Sequence, residues 1–179
     1  PTAGGEFSGQ DAHRDLMVAT DAVLVQPGAE GPSGWDKERY AWRAFATALA
    51  GPMLSTDLNG DGINDIVGFT TDGADLVLGT WVLLPEGDGR LDFGGRLSLG
   101  SGVEAHGLVA CDGRFYALSG AGENSTLTVF SVIPDGEDQV PNLIGQTEAN
   151  GSALGCGTLA SGDPGVVVAN TSGFWSTYR

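Results

Sequence analysis

Basic residues are scarce in this sequence: 8 Lys and Arg stand against 23 Asp and Glu over 179 residues, a formal net charge of −15. No cluster of Lys and Arg is present that would neutralise several phosphates, so nucleic acid is not an expected partner. Long apolar runs are missing too. Nothing approaches the roughly 18 residues that a membrane-spanning helix needs, and no membrane insertion is expected. Cysteine is limited to Cys111 and Cys156, whose spacing fits neither a zinc pattern nor a C-x-x-C redox pair. A Gly-rich phosphate cradle with its Lys, a nucleophile elbow and a Ser-His-Asp order are all lacking. The two histidines, His13 and His106, belong to no motif, and structural or surface roles are expected for both. Neighbouring carboxylates such as Glu86 with Asp88, or Glu137 with Asp138, are commonplace in so acidic a chain and mark no acid–base pair. The expectation is a protein that is not an enzyme.

What the chain does have is glycine, 30 residues of it, with 8 prolines, 41% apolar and only 17% charged residues. Glycine supplies the positive φ of tight turns, so this balance predicts many short strands and few long helices. The length suits one domain over 1–179 with a sizeable core. The stretch from Asp36 to Ala50 is the exception. It is rich in helix formers, with Trp42, Phe45 and Leu49 at helical spacing, and it stops at Gly51-Pro52. Tyr40, Trp42 and Ala44 also alternate as a strand does, and a strand with a short helical lead-in is expected there.

An internal repeat of about fifty residues runs through the chain. Asp61-Gly62 is echoed by Asp112-Gly113, by Ser161-Gly162 and, one period earlier, by Asp11-Ala12. An apolar run follows each: Leu16 to Ala19, Ile66 to Phe69, Phe115 to Leu118 and Val166 to Ala169. Proline turns at Pro27, Pro85 and Pro134 keep the same phase. Four antiparallel strands in about fifty residues match one propeller blade. One such sheet cannot bury both of its faces alone, so successive units must stack. The expected fold is all-β: a small β-propeller of about four four-stranded blades, one incomplete, with repeats starting near 11, 61, 112 and 161. A β-sandwich with evenly spaced turns is the competing reading. Glu6 to Gln10 is expected to pair with the final unit and close the ring through the termini. The alternatives are self-association through an open blade edge, or a piece of a larger propeller.

Within the repeat, Asp57, Asn59, Asp61 and Asp65 lie in one short segment with Gly62 at its turn. Spacing of two over the first three residues converges side-chain oxygens on one centre, and Ile63 can add its backbone carbonyl. Hard oxygens at flexible geometry suit Ca2+. An EF-hand needs a bidentate Glu at the twelfth position from Asp57; this chain has Gly68, and instead runs from Asp65 straight into a strand-like segment. The stretch from Thr56 to Val67 resembles the FG-GAP/VCBS repeat of integrin alpha-subunit propellers and many bacterial surface proteins. The stretch from Val82 to Arg90 resembles the second-strand hairpin of those repeats. The resemblance implies a blade fold, structural calcium in a loop linking blades at Asp57 to Asp65 alone, and adhesive or ligand-binding roles.

Cys111 and Cys156 sit at nearly corresponding places in successive repeats, on the strand entering each Asp-Gly step. A disulfide between adjacent blades is expected, with two buried free thiols as the alternative. Opening at Pro1-Thr2-Ala3 rather than Met, the chain reads as a mature or trimmed exported form, secreted or at the cell surface. Four tryptophans, Trp35, Trp42, Trp81 and Trp175, are of a kind that stacks on sugar rings, but Trp81 and Trp175 fall in second-strand positions, where core packing between blades is the expected role. Asn124, Asn150 and Asn170 each begin a glycosylation sequon. The functional expectation is a non-catalytic binding module for an extracellular protein or glycan. A structural subunit completed by strand exchange, or a polysaccharide-acting enzyme, are the alternatives.

Overall fold

The computed structural model describes residues 2–5, 15–19, 23–26, 41–43, 49–83, 91–136 and 138–179. Among these residues the chain is all-β, with four antiparallel sheets following one another along the sequence. The first holds β1 (Thr2–Gly5), β2 (Asp15–Ala19), β3 (Val23–Gln26) and β4 (Ala41–Arg43). The second holds β5 (Leu49–Thr56), β6 (Asp65–Asp72), β7 (Asp75–Leu83) and β8 (Leu91–Ser101). In the third are β9 (Glu104–Cys111), β10 (Arg114–Ala121), β11 (Asn124–Asp135) and β12 (Asp138–Asn150). The fourth has three strands, β13 (Ala153–Thr158), β14 (Pro164–Ala169) and β15 (Trp175–Tyr178). Every sheet keeps simple up-and-down order, each strand pairing with the next along the sequence. The turn between β9 and β10 shows why. Arg114 pairs with Cys111, leaving a two-residue loop of Asp112 at φ 51° and Gly113 at φ 71°. Left-handed backbone at both positions matches the twist of the flanking strands, and Asp-Gly tolerates it.

The sheets stack through apolar faces. Val67, Phe69, Leu76 and Leu78 of the second sheet meet Leu108, Ala117 and Phe130 of the third, with Phe115 stacked on Phe130 at 5.3 Å. On its other face the third sheet offers Tyr116, Leu118, Leu127 and Ala149 to Val166 and Val168 of the fourth. The first strands of successive sheets pack in series, β1 on β5, β5 on β9 and β9 on β13. Small residues permit that approach: a Cβ on Gly51 would lie 2.5 Å from Ala105 Cβ, and one on Gly107 would lie 2.6 Å from Leu154 Cβ. The last strands of the second and third sheets, β8 and β12, also touch. There Thr80 Oγ1 donates to the Gln139 carbonyl across the sheets.

Three expectations change. The strand before each Asp-Gly step was expected to end one unit; β5 pairs with β6, and β9 with β10, so that strand opens its own sheet. The sheets accordingly begin near residues 2, 49, 104 and 153 rather than at the Asp-Gly steps. No closed propeller forms among the described residues. Thr2–Gly5 pairs with β2 of its own sheet, and among the described residues β15 pairs with β14 alone; Glu6 to Gln10, expected to pair with the final unit, lie outside the described residues. Local turns bring neighbouring strands together, whereas ring closure needs a pairing that spans the whole chain. The segment from 36 to 50 contributes β4 and the start of β5, while its proposed helical lead-in lies outside the described residues, as do Asp11 and the turns at Pro27 and Pro85.

Gly94 tests the stacking. A Cβ there would stand 2.5 Å from the Gln139 carbonyl oxygen and 3.0 Å from its nitrogen, both backbone atoms with little room to shift. Gly94→Ala is expected to destabilise by about 1–3 kcal/mol, as overpacking does. Gly145→Ala, with open space around it, should stay within about 0.5 kcal/mol of the parent. Urea unfolding of the two variants checks the contrast.

Candidate functional site

Three features carry chemistry: the loop between β5 and β6, the disulfide, and an open trench on the last sheet. The loop is a hairpin connection inside the second sheet. It is not the link between sheets that the resemblance implied, because both flanking strands pair with each other. Gly60 at φ 81° and Gly62 at φ 85° curl it tightly. Asp57 Oδ1 accepts from Gly60 N at 2.6 Å, and its Oδ2 accepts from Gly62 N at 2.9 Å. Asn59 Oδ1 accepts from Asp61 N at 3.0 Å, while Asn59 Nδ2 donates to Asp61 Oδ2 at 3.0 Å. Asp61 Oδ1 accepts from Ile63 N at 2.7 Å. Asp65 is fully buried, and its Oδ2 accepts from Leu58 N at 2.8 Å. Asn64 Nδ2 donates to Ser55 Oγ at 2.7 Å and ties the loop back to β5.

Four of the five residues singled out for metal therefore belong to one loop and Asp65 opens the strand that follows it, and the side chains of Asp57, Asn59, Asp61 and Asp65 accept from N–H groups of the loop. Ile63 buries its side chain. The donors are hard oxygens, and each carboxylate oxygen can accept more than one bond, so the set fits calcium by its chemistry. Among the described residues no three His, Cys, Asp or Glu side chains converge so as to hold an ion by themselves.

Cys111 and Cys156 form a disulfide, with Cα atoms 5.8 Å apart. It joins the end of β9 to β13, the first strands of the third and fourth sheets. A second tie links the same sheets. Glu123 Oε1 accepts from the Thr171 hydroxyl and from Thr171 N at 2.7 Å, and these bonds hold its carboxyl below the ordinary value. The stabilisation from this tie is complete above the ordinary carboxylate value and is lost as pH falls through the lowered one.

The tryptophans divide. Trp81 is buried against Phe93 at 5.6 Å, edge to face, as core packing requires. Trp175 is 67% exposed, against the expectation that it packs between sheets. The register gives the reason: Trp175 pairs with Ala169 and shares a face with Val167 and Thr177, while Val166 and Val168 turn inward to the third sheet. A trench of about 640 Å³ lies on that outer face, bordered by Trp175, Thr177, Val167, Leu159, Ser161 and Arg179. Arg179 Nη2 donates to Ser161 Oγ at 2.8 Å, and its Nη1 lies 3.6 Å from Asp163 Oδ2. The sequence signal for the trench is the pair Phe174-Trp175 beside strands whose alternate positions are small.

His106 lies half-buried in β9 with Nε2 shielded from solvent; His13 and Trp35 fall outside the described residues. Asn170 Oδ1 accepts from Ser172 N at 3.1 Å and Phe174 N at 3.0 Å, so this sequon asparagine shapes the β14–β15 turn. No helix among the described residues is long and apolar enough to cross a membrane. No family model, curated protein or solved structure matches the chain.

The disulfide closes a loop spanning 45 residues. Its reduction should cost about 4 kcal/mol in the chain-entropy model. Alkylation of the unreduced protein is expected to find no thiol. A Cys111→Ser/Cys156→Ser double variant should shift the urea midpoint by the same amount as reduction.

Proposed function

We propose that the chain is a secreted or surface-attached, non-catalytic binding module whose stacked sheets are blades of a β-propeller of the FG-GAP type, stabilised by calcium. The observation that carries this reading is the serial packing of the first strands of four successive up-and-down sheets. Inner strands set side by side around a common axis, with sheets fanning outward, are the plan of a propeller. The inter-sheet disulfide is compatible with an oxidising, extracellular setting. The acidic surface disfavours nucleic acid and favours a protein or glycan partner.

Calcium, when bound, supplies positive charge among the loop carboxylates. Asp57, Asn59, Asp61 and Asp65 would hold it with side-chain oxygens, and Ile63 with its carbonyl. Asp61 and Asp57 have the further task of keeping the loop curled through their bonds to Ile63 N, Gly60 N and Gly62 N. Asp65 anchors the end of the loop in the core, so the role is structural.

Calcium is expected to raise Tm, since a ligand that binds only the folded state adds about 2.7 kcal/mol at a hundredfold excess over Kd. Asp61→Ala should abolish the calcium-dependent rise. Differential scanning calorimetry in chelator and in calcium decides the matter; identical curves for the parent protein remove calcium from the proposal. A glycan array and extracellular-protein pull-down test the binding role, and silence in both would refute it.

A further inference from the structure

We propose that the trench on the outer face of the last sheet binds a neutral saccharide, with Trp175 as the stacking platform. This rests on the reading of the chain as a binding module and names its ligand class.

The face differs from those that meet another sheet. Where the second and third sheets join, large side chains interdigitate: Phe69, Leu78 and Phe130 are fully buried. The outer face of the fourth sheet instead has a floor of small residues. Register places Gly155 opposite Val167, Gly157 opposite Gly165 and Ala153 opposite Ala169, all on the Trp175 side. A Cβ on Gly155 or Gly157 would meet nothing within 4 Å, whereas one on Gly165 would meet Leu159 at 2.5 Å, so Leu159 folds over the floor and walls one side. The result is a channel with an indole on its border, rather than a set of apolar knobs awaiting a partner sheet.

The polar groups fit hydroxyl-rich ligands. Thr158, Ser161 and Thr177 bring hydroxyls to the trench, and Arg179 brings N–H donors fixed in direction by Ser161 and Asp163. A sugar ring presents an apolar C–H face and an edge of hydroxyls, matching an aromatic surface beside fixed donors and acceptors. Charge selects the neutral class. Among the described residues Arg179 is the one cation bordering the trench, and Asp163 pairs with it, so an anionic sugar meets little free positive charge there and a protein of net charge −15. The volume of about 640 Å³ lies within the range of small-ligand sites.

The test titrates the whole chain with hexasaccharides of β-1,4-linked glucose, mannose and N-acetylglucosamine, following tryptophan fluorescence and calorimetric heat. Oligogalacturonate serves as the anionic probe. At least one neutral hexamer should bind, with affinity falling tenfold or more in Trp175→Ala. Val167→Phe, which fills the floor and leaves the indole in place, should weaken binding comparably. Circular dichroism and sedimentation are run on each variant. Oligogalacturonate binding as tightly as the neutral sugars overturns the proposal, as does no binding by any probe. A concentration-dependent oligomer dispersed by Trp175→Ala also overturns it, because the face is then a contact between copies. Saccharide binding that both variants leave intact overturns the trench as the site while preserving the reading of a binding module.

Discussion

The structure depends on one constraint: its second sheet is apolar on both faces. From Asp65 to Thr70 every residue of β6 is buried, so neither face of that strand can meet water. An antiparallel sheet with one solvated face alternates apolar and polar residues; this one does not. It has to be covered twice, and the chain meets that need by repeating itself. The third sheet supplies one face to the second and the other to the fourth. The close approach of Gly51 to Ala105 and of Gly107 to Leu154 then sets the first strands side by side. Stability in such an array is a sum of each sheet and its neighbouring interfaces. The cross-links fall at those interfaces. The disulfide and the Glu123–Thr171 contact both join the third sheet to the fourth, which has three strands.

Much of this was legible in the sequence, because the repeat is physical before it is structural. The apolar runs at Ile66, Phe115 and Val166 recur because the second, third and fourth sheets each bury the strand that follows the step. The corresponding positions of Cys111 and Cys156 follow from that period. Phase was not legible. An Asp-Gly step says that the chain turns, and it says nothing about whether the turn lies within a sheet or between two. Pairing decides: Thr56 faces Asp65 across the hairpin, and the first strand of each sheet is the one that precedes the step.

The tryptophans show a similar limit. Trp81 and Trp175 both lie on the third strand of their sheets, yet one is buried against Phe93 and the other stands in solvent. A strand's alternation fixes which residues share a face, but not whether another sheet covers that face. In β14, Val166 and Val168 are buried and Val167 and Ala169 only partly so, although the four residues read as one uniform apolar run. The trench owes its existence to that difference.

Placing the Asp57–Asp65 loop within one sheet changes what the loop can stabilise. A linker between sheets would fix their relative angle; a hairpin loop fixes the register of the two strands it joins. Here both ends are secured by hydrogen bonds of the loop itself, Asn64 to Ser55 on one side and Asp65 to Leu58 on the other. Asp65 carries the coupling further, because it is fully buried and leads directly into Ile66 and Val67, both inaccessible to solvent. Val67 belongs to the core shared with the third sheet. Order imposed on the loop therefore reaches the stacking interface through two residues of β6, with no need for the loop to touch a second sheet. Inter-sheet angle is left to the packed faces and register to the loop, so the two are set by separate groups of residues.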